Sequence, residues 1–234
     1  MTKIPILCYH HLAEAPAHAR FTTLYVGPRQ FERQLWALRR LGLRGVSMSE
    51  GLWQLEHGAR HRCVILTFDD GYVETLTHAA PLLREYGFTA TCYLVSGRIG
   101  AYNDWDRGQH RREARPLMDF EQVHDWLEAG MEIGAHSCSH PKLSELDAAA
   151  ASREIGECRA DLRMRFGADV DHFCYPFGSF TAETIALVQR AGFRSAVSTR
   201  PGVARWPESR YCLPRILVNG AHGLGRFLLS FIKP

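Results

Sequence analysis

The sequence predicts an α/β fold in one domain over residues 1–234, a parallel sheet covered by helices and suited to an incomplete (β/α) barrel. Three observations predict it. Strand-like apolar runs alternate with helical patterns, with no long strand-only stretch. Residues Cys63–Phe68 read CVILTF, the nearly unbroken apolar run expected of a strand buried on both faces. Alternation alone leaves the sheet open or closed, but a count of roughly seven strands suits a barrel one strand short of eight.

The elements follow in order. Residues 4–9, IPILCY, make a first strand. Phe31, Leu35, Leu38 and Leu41 recur at helical spacing, and the pattern stops at Gly42. After Cys63–Phe68 a helix spans residues 73–86 and is closed by Gly87. Residues 89–95, TATCYLV, form a strand rich in β-formers. Residues 97–116 are polar and hold Arg98, Arg107, Arg111, Arg112 and Arg115, a long loop. Asp119 caps a helix to Ala129 that Gly130 ends. Residues 131–135 are a short strand, 147–166 an Ala-rich helix closed by Gly167, and 172–175 a further strand. Thr181 caps a helix through Arg190, ended by Gly192. Strands at 195–198 and 212–218 follow, and the apolar stretch 227–232 predicts a last helix packed on the barrel.

Hydrophobic residues make up 46% and charged residues 23% of the chain, the balance of a globular protein with a sizeable core. A net charge of +3 is too weak to indicate nucleic acid or an anionic membrane surface. No apolar run approaches the ~20 residues of a membrane span, so stable membrane insertion is not expected. The seven cysteines include no CxxC pair and read as free thiols of a reducing compartment. With no secretory leader in the sequence, the expectation is a cytoplasmic protein, or an extracytoplasmic one if a leader has been removed.

Reactive groups of parallel α/β folds collect beyond the carboxyl ends of the strands. Five predicted strands deliver such groups: His10-His11, Asp69-Asp70-Gly71, His136-Ser137-Cys138-Ser139-His140, Pro176-Phe177-Gly178, and Arg215. His136 and His140, four apart on a helical turn, would present both imidazoles on one face and grip one ion. Adjacent carboxylates at Asp69 and Asp70 repel unless a cation or hydrogen bonds hold them. Their side chains point apart, so one can ligate a metal while the other faces a substrate. Surface histidines and a helix-capping acidic pair are the alternatives. Two histidines and one aspartate leave open coordination positions, the pattern of a catalytic site. Such an ion polarises a carbonyl and acidifies water, and a free carboxylate accepts the proton. A backbone N–H of the Pro-Phe-Gly turn would steady an oxyanion, and a histidine would supply the acid for a leaving amine.

Thr67-Phe68-Asp69-Asp70-Gly71 and His136-Ser137-Cys138-Ser139-His140 match the TFDDG and H-S/T-x-x-H motifs of the polysaccharide deacetylase family, the carbohydrate esterases with a NodB-homology domain. Tyr175-Pro176-Phe177-Gly178 looks like a variant of the third motif. The resemblance implies a distorted, incomplete (β/α) barrel. It implies Asp69 as general base, Asp70, His136 and His140 as metal ligands, and Tyr175 and the Phe177 N–H at the substrate and oxyanion. Two features depart from the family pattern: Cys174 stands where an arginine usually opens the third motif, and the late Leu-x-His that carries the acid is absent. Tyr9-His10 and Leu213-Pro214-Arg215-Ile216 resemble instead the poly-N-acetylglucosamine deacetylase branch, whose motifs follow a different order. That resemblance implies His10 as the acid, with His222 as an alternative, and Arg215 as the group that orients Asp69.

The expected function is metal-dependent removal of an N-acetyl group from an N-acetylated sugar or polysaccharide. One divalent ion is expected, zinc first, with cobalt, iron or manganese as alternatives. The expected partner is carbohydrate and not nucleic acid, and the oligomeric state is open. O-deacetylation or deformylation of a small sugar or cyclic amide is an alternative on the same site, as is carbohydrate binding without turnover. Tyr102 and Trp105, in the loop over residues 97–116, are candidates to overhang the site and stack on a sugar face.

Overall fold

The computed structural model describes residues 2–17, 19, 21–58, 62–105 and 114–232. The chain runs through β1 (Lys3–Ile4), β2 (Ile6–Tyr9), α1 (Pro28–Arg40), β3 (Arg44–Val46), α2 (Met48–Glu56), β4 (Cys63–Phe68), α3 (Ala80–Tyr86) and β5 (Thr91–Leu94). It continues through α4 (Phe120–Glu128), β6 (Glu132–Ala135), α5 (Ala148–Phe166), β7 (His172–Cys174), α6 (Ala182–Arg190), β8 (Ser195–Pro201), β9 (Ala204–Arg205), β10 (Leu213–Leu217) and α7 (Leu224–Ile232). Seven parallel strands close a ring in the order β2, β4, β5, β6, β7, β8, β10 and back to β2. The expected barrel is therefore present, with one strand fewer than eight. Its distortion has a visible cause: β3 pairs with the first half of β4 and β5 with the second half, so two strands share one edge.

The period of two along each strand separates two cores. Leu7, Tyr9, Val64, Leu66, Phe68, Cys92, Leu94 and Phe173 pack outward into the cluster built with the helices. Ile6, Ile65, Tyr93, Cys174, Val197 and Leu213 form a separate interior cluster, closed by Met48, Leu52 and Leu55 of α2. All six residues of β4 are buried, as its composition requires. Beside α2 the interior turns polar. Glu132 accepts from Ser47 Oγ (3.1 Å), Ser49 N–H (3.2 Å) and Thr91 Oγ1 (2.7 Å), and His172 lies between Ser49 Oγ and Ser195 Oγ at 2.9 and 2.8 Å. This network seals the amino-terminal mouth, so the open mouth is the carboxyl one.

Several expected elements are redrawn. The first strand is broken at Pro5, which has no N–H to donate; β1 turns away to pair antiparallel with β9. β3 and α2 lie in a stretch that carries no long apolar periodicity, although Ser47 and Glu50 form a capping pattern and the Ser47 side chain accepts the Glu50 N–H. The helix expected over 73–86 opens with a π turn, Thr75–Ala79, just before Pro81. The loop over 97–116 contains the 3-10 turn Ser96–Arg98 at its start and bridges at Tyr102–Pro116 and Tyr72–Leu117; Arg107, Arg111 and Arg112 lie outside the described residues. α7 packs against α1 with Phe227 buried. Among the described residues no helix is long and apolar enough to cross a membrane.

A methyl group at Gly51 of α2 would overlap the side chain of Ile65, which is fully buried in the barrel interior. Gly51→Ala gains about 1 kcal/mol of helix propensity but overpacks a closed core at a cost of about 1–3 kcal/mol. The expected outcome is a net loss of about 1 kcal/mol, read as a lower urea midpoint with unchanged slope.

Candidate active site

The carboxyl mouth is ringed by strand ends, and its backbone is held in conformations that L-residues resist. Asp70 (φ 75°), Ser137 (φ 63°), His140 (φ 62°) and Phe177 (φ 56°) are the non-glycine residues with positive φ among the described residues, and all four stand on this rim. Each costs about 1–2 kcal/mol, a pattern found where geometry serves a site. The two histidines meet because of it. Residues 136–140 are not a helical turn, as their spacing suggested; left-handed backbone at Ser137 and His140 folds the loop back, and Ser137 Oγ accepts the His140 N–H at 2.9 Å.

Three buried donors converge there. His136 Nε2 and His140 Nε2 are 3.2 Å apart, and Asp70 Oδ1 stands 3.4 Å from each. Four ligands at about 2.0–2.1 Å from a tetrahedral ion lie about 3.3 Å from one another. The triangle therefore has the dimensions of one face of such a shell, and the donor set fits a divalent cation. The Cys174 carbonyl can only accept, so His136 Nδ1 carries the proton at 2.8 Å and Nε2 keeps its lone pair for the ion. The His140 ring is flanked by Trp105 at 4.3 Å and Phe177 at 4.5 Å. Burial would raise the Asp70 carboxyl, but the two facing imidazoles hold it well below the usual carboxylate range.

Asp69 is engaged elsewhere. Arg215 grips it with two hydrogen bonds of 2.7 Å, one to each oxygen. The guanidinium is 2% exposed and all five of its N–H donors have acceptors: the others are the Ser198 carbonyl, Thr67 Oγ1 and Cys174 Sγ. The thiols of Cys8 and Cys174 each donate to Asp69 Oδ2 at 3.5 Å. Burial pushes the Asp69 carboxyl up, and the charge and hydrogen bonds of Arg215 more than reverse that, holding it ionised far below the usual range. Donor sets that include Asp69, one with Cys8 and His10 and one with His136 and Cys174, also fall within ligand distance of one another. The Arg215 clamp occupies both Asp69 oxygens, so Asp70 is the carboxylate left to face the imidazoles. His10 stands with Nε2 3.9 Å from Asp69 Oδ2, and burial lowers its pKa against the pull of the two aspartates.

The remaining expected residues divide. Tyr175 is fully buried, its hydroxyl donating to the Tyr211 carbonyl at 2.9 Å, so its side chain belongs to the barrel wall and not to a substrate surface. Phe177 is 48% exposed on the rim. His222 lies in the turn before α7, where its carbonyl accepts from Gln30 of α1. Sequence reasoning missed Glu154 of α5, which accepts from Cys138 N–H (2.8 Å), Ser139 N–H (2.9 Å) and Ser139 Oγ (2.6 Å) and so pins the loop between the histidines. It also missed Glu74, which binds His11 Nδ1 at 3.1 Å and Arg115 at 3.3 Å and turns His11 away from Asp69. No local pattern around either glutamate announces these long-range contacts.

Removing Arg215 strands a buried carboxylate. Arg215→Ala is expected to lower unfolding free energy by about 3–5 kcal/mol, and Arg215→Lys to recover only part, since an ammonium cannot make the two-pronged grip; chemical denaturation checks both.

Residues 57–196, more than half of the chain, match the family model described as polysaccharide deacetylase. YxkH of Bacillus subtilis (strain 168), whose name assigns it provisionally to the polysaccharide deacetylases, is 26% identical over 219 residues, 93% of this chain and 72% of its own length. The poly-β-1,6-N-acetyl-D-glucosamine N-deacetylase of Staphylococcus aureus (strain MSSA476) is 22% identical over 198 residues, 83% of this chain and 68% of its own. In fold the chain is similar to the Streptococcus pyogenes deacetylase PplD, with a TM-score of 0.84 at 23% identity over 100% of this chain and 99% of that one. The matched segment spans the aspartate pair, the histidine loop and the Tyr175–Gly178 turn, and on that basis the chain belongs to the polysaccharide deacetylase family.

Proposed function

We propose that this protein is a metal-dependent N-deacetylase that releases acetate from an N-acetylated sugar or polysaccharide. The observation that carries the reading is the division of labour between neighbouring aspartates: Asp70 faces two imidazoles, while Asp69 is locked on Arg215. Asp70, His136 and His140 would hold one divalent ion, zinc first by its donor set and cobalt, iron or manganese as alternatives. When bound, such an ion supplies Lewis acidity, drawing charge from a carbonyl and acidifying water.

The chain's own groups do the rest. Asp69, ionised and held in place by Arg215, is the group that would take the proton of the attacking water, as a weak base because the guanidinium stabilises its charge. Water oxygen adds to the amide carbon, and the backbone N–H of Phe177 is the proposed donor to the oxyanion. His10 Nε2, 3.9 Å from Asp69 Oδ2, takes that proton over from Asp69 and passes it to the amine nitrogen as the C–N bond breaks, which leaves both groups as they began. The products are acetate and a free amino sugar. Trp105 and the exposed Phe177 and Tyr102 would offer apolar faces to a sugar ring. The name of the staphylococcal relative supports an N-acetylglucosamine polymer as substrate class.

Purified protein offered N-acetyl- and N-formyl-glucosamine oligomers side by side is expected to release acetate from the first faster than formate from the second. Chelation should abolish release and added zinc or cobalt restore it. Asp69→Asn should lower kcat by about 10²–10⁴-fold, and Asp70→Ala should leave no release that metal restores. Acetate release by chelated Asp70→Ala protein would refute the reading. Trp105→Ala should raise KM by about 2- to 10-fold with a smaller change in kcat, read from steady-state kinetics.

A further inference from the structure

Helix α7 begins on a cleft that shares no residue with the aspartate and histidine cluster. The cleft, about 330 Å³, has Gln30, Arg33 and Gln34 of α1 on one side and residues 220–224 on the other, where the chain passes from β10 into α7. This turn is held from below. Gly220 N–H donates to the Thr23 carbonyl at 2.9 Å, and a Cβ at Gly220 would overlap the Tyr25 carbonyl, so glycine alone permits the approach. Gln30 Nε2 donates to the carbonyls of Gly220 and His222 at 3.1 and 2.9 Å, and His222 N–H donates to the Asn219 carbonyl at 3.0 Å. Those bonds use up acceptors of the turn and leave donors. The Gly223 carbonyl accepts from Phe227 N–H at 3.1 Å and so opens the helix, but glycine has no side chain to cap it. The N–H groups of Leu224, Gly225 and Arg226 meet no acceptor among the described residues.

Gln34 points to a ligand independently of the helix. It lines the cleft yet is only 1% exposed; its Oε1 accepts from the Tyr9 hydroxyl at 3.0 Å, while its Nε2 donates to no described residue. A buried amide donor left without an acceptor is costly, and only something entering the cleft can relieve it. Arg33 brings a positive charge to the same cleft, and among the described residues no carboxylate lines it. We propose that this cleft is an anion site that takes a phosphate group, either free phosphate or the phosphate monoester of a small molecule. The start of α7 offers unsatisfied N–H groups and the positive end of its dipole. The Arg33 guanidinium can fork onto two phosphate oxygens, and Gln34 Nε2 supplies a donor for a third. In (β/α) barrels the loops after the last strands and the start of an adjoining helix recur as a phosphate site; here β10 is the strand that closes the ring onto β2, and α7 follows it. The volume exceeds what a bare ion fills and falls at the small end of ligand pockets, which leaves room for a small organic body behind the phosphate.

Zinc-loaded protein, and the same protein after chelation, are titrated with inorganic phosphate and with glucose 6-phosphate by calorimetry at constant ionic strength. The expected result is saturable one-to-one binding that survives chelation, which separates the cleft from the metal centre. Arg33→Ala, at an exposed position of α1, should weaken binding about tenfold. Gly225→Pro deletes one N–H from a first turn that tolerates proline, at a position where an added Cβ meets open space, and should weaken it about 2- to 5-fold. Tighter binding of the ester assigns the organic body to the cleft, and equal affinity assigns free phosphate. No saturable binding, binding abolished by chelation, or binding unchanged in either variant overturns the proposal. Acetate release is not read, so failure of the deacetylase reading shows separately.

Discussion

The structure depends on one ion pair buried inside a barrel. Moving a guanidinium and a carboxylate out of water costs several kcal/mol for each ion, and the loss is offset only when geometry and hydrogen bonding are nearly complete. Here they are: every Arg215 donor is used, by a carbonyl, a hydroxyl, a thiol and both oxygens of Asp69. The pair ties β10 to β4 across β2 and fills the upper barrel, where aliphatic layers give way to charge. It also decides chemistry. A carboxylate saturated by arginine is a poor ligand, which leaves the neighbouring Asp70 to face the imidazoles.

Rigidity at the rim has a source outside it. Four left-handed residues store unfavourable backbone energy, and isolated loops would relax. The loop carrying His136 and His140 does not, because Glu154 receives two of its N–H groups and a hydroxyl, while Gly97 and Ser96 bind two of its carbonyls. Helix α5 and the segment after β5 therefore act as a vice on the loop. Donor separations set this way would need little adjustment to take up the proposed cation, which is what preorganisation means for a ligand set.

How much of this was legible in the sequence follows from the physics of each part. The alternation of buried strands and helices was readable because parallel strands covered on both faces show as continuous apolar runs, and β4 is the clearest instance. β3 and α2 were not, because three residues of strand and nine of helix carry too short a period to stand out. His136 and His140 were identified as a pair but for the wrong local reason: the turn that unites them needs positive φ at Ser137 and His140, and no glycine marks it. That the adjacent aspartates divide their work and that Arg215 stands on the rim were readable from side-chain direction and strand order. Which aspartate does which, and the Arg215–Asp69 pairing, came from family resemblance, since nothing near residue 215 points to a partner 146 positions away. Tyr175 was drawn into the site by its place in a motif, whereas its ring and hydroxyl belong to the wall.

Closure of the ring has a further consequence. β2 and β10 lie side by side, so the circle of strands has no privileged first member. Opening it between any two neighbours and joining these two ends would leave the spatial arrangement of donors intact and alter only the sequence in which a ribosome meets them. Positions 10 and 215 can thus complete a pocket whose other members fall between 69 and 177. In such a fold, motif order is a matter of genealogy, and chemistry is indifferent to it.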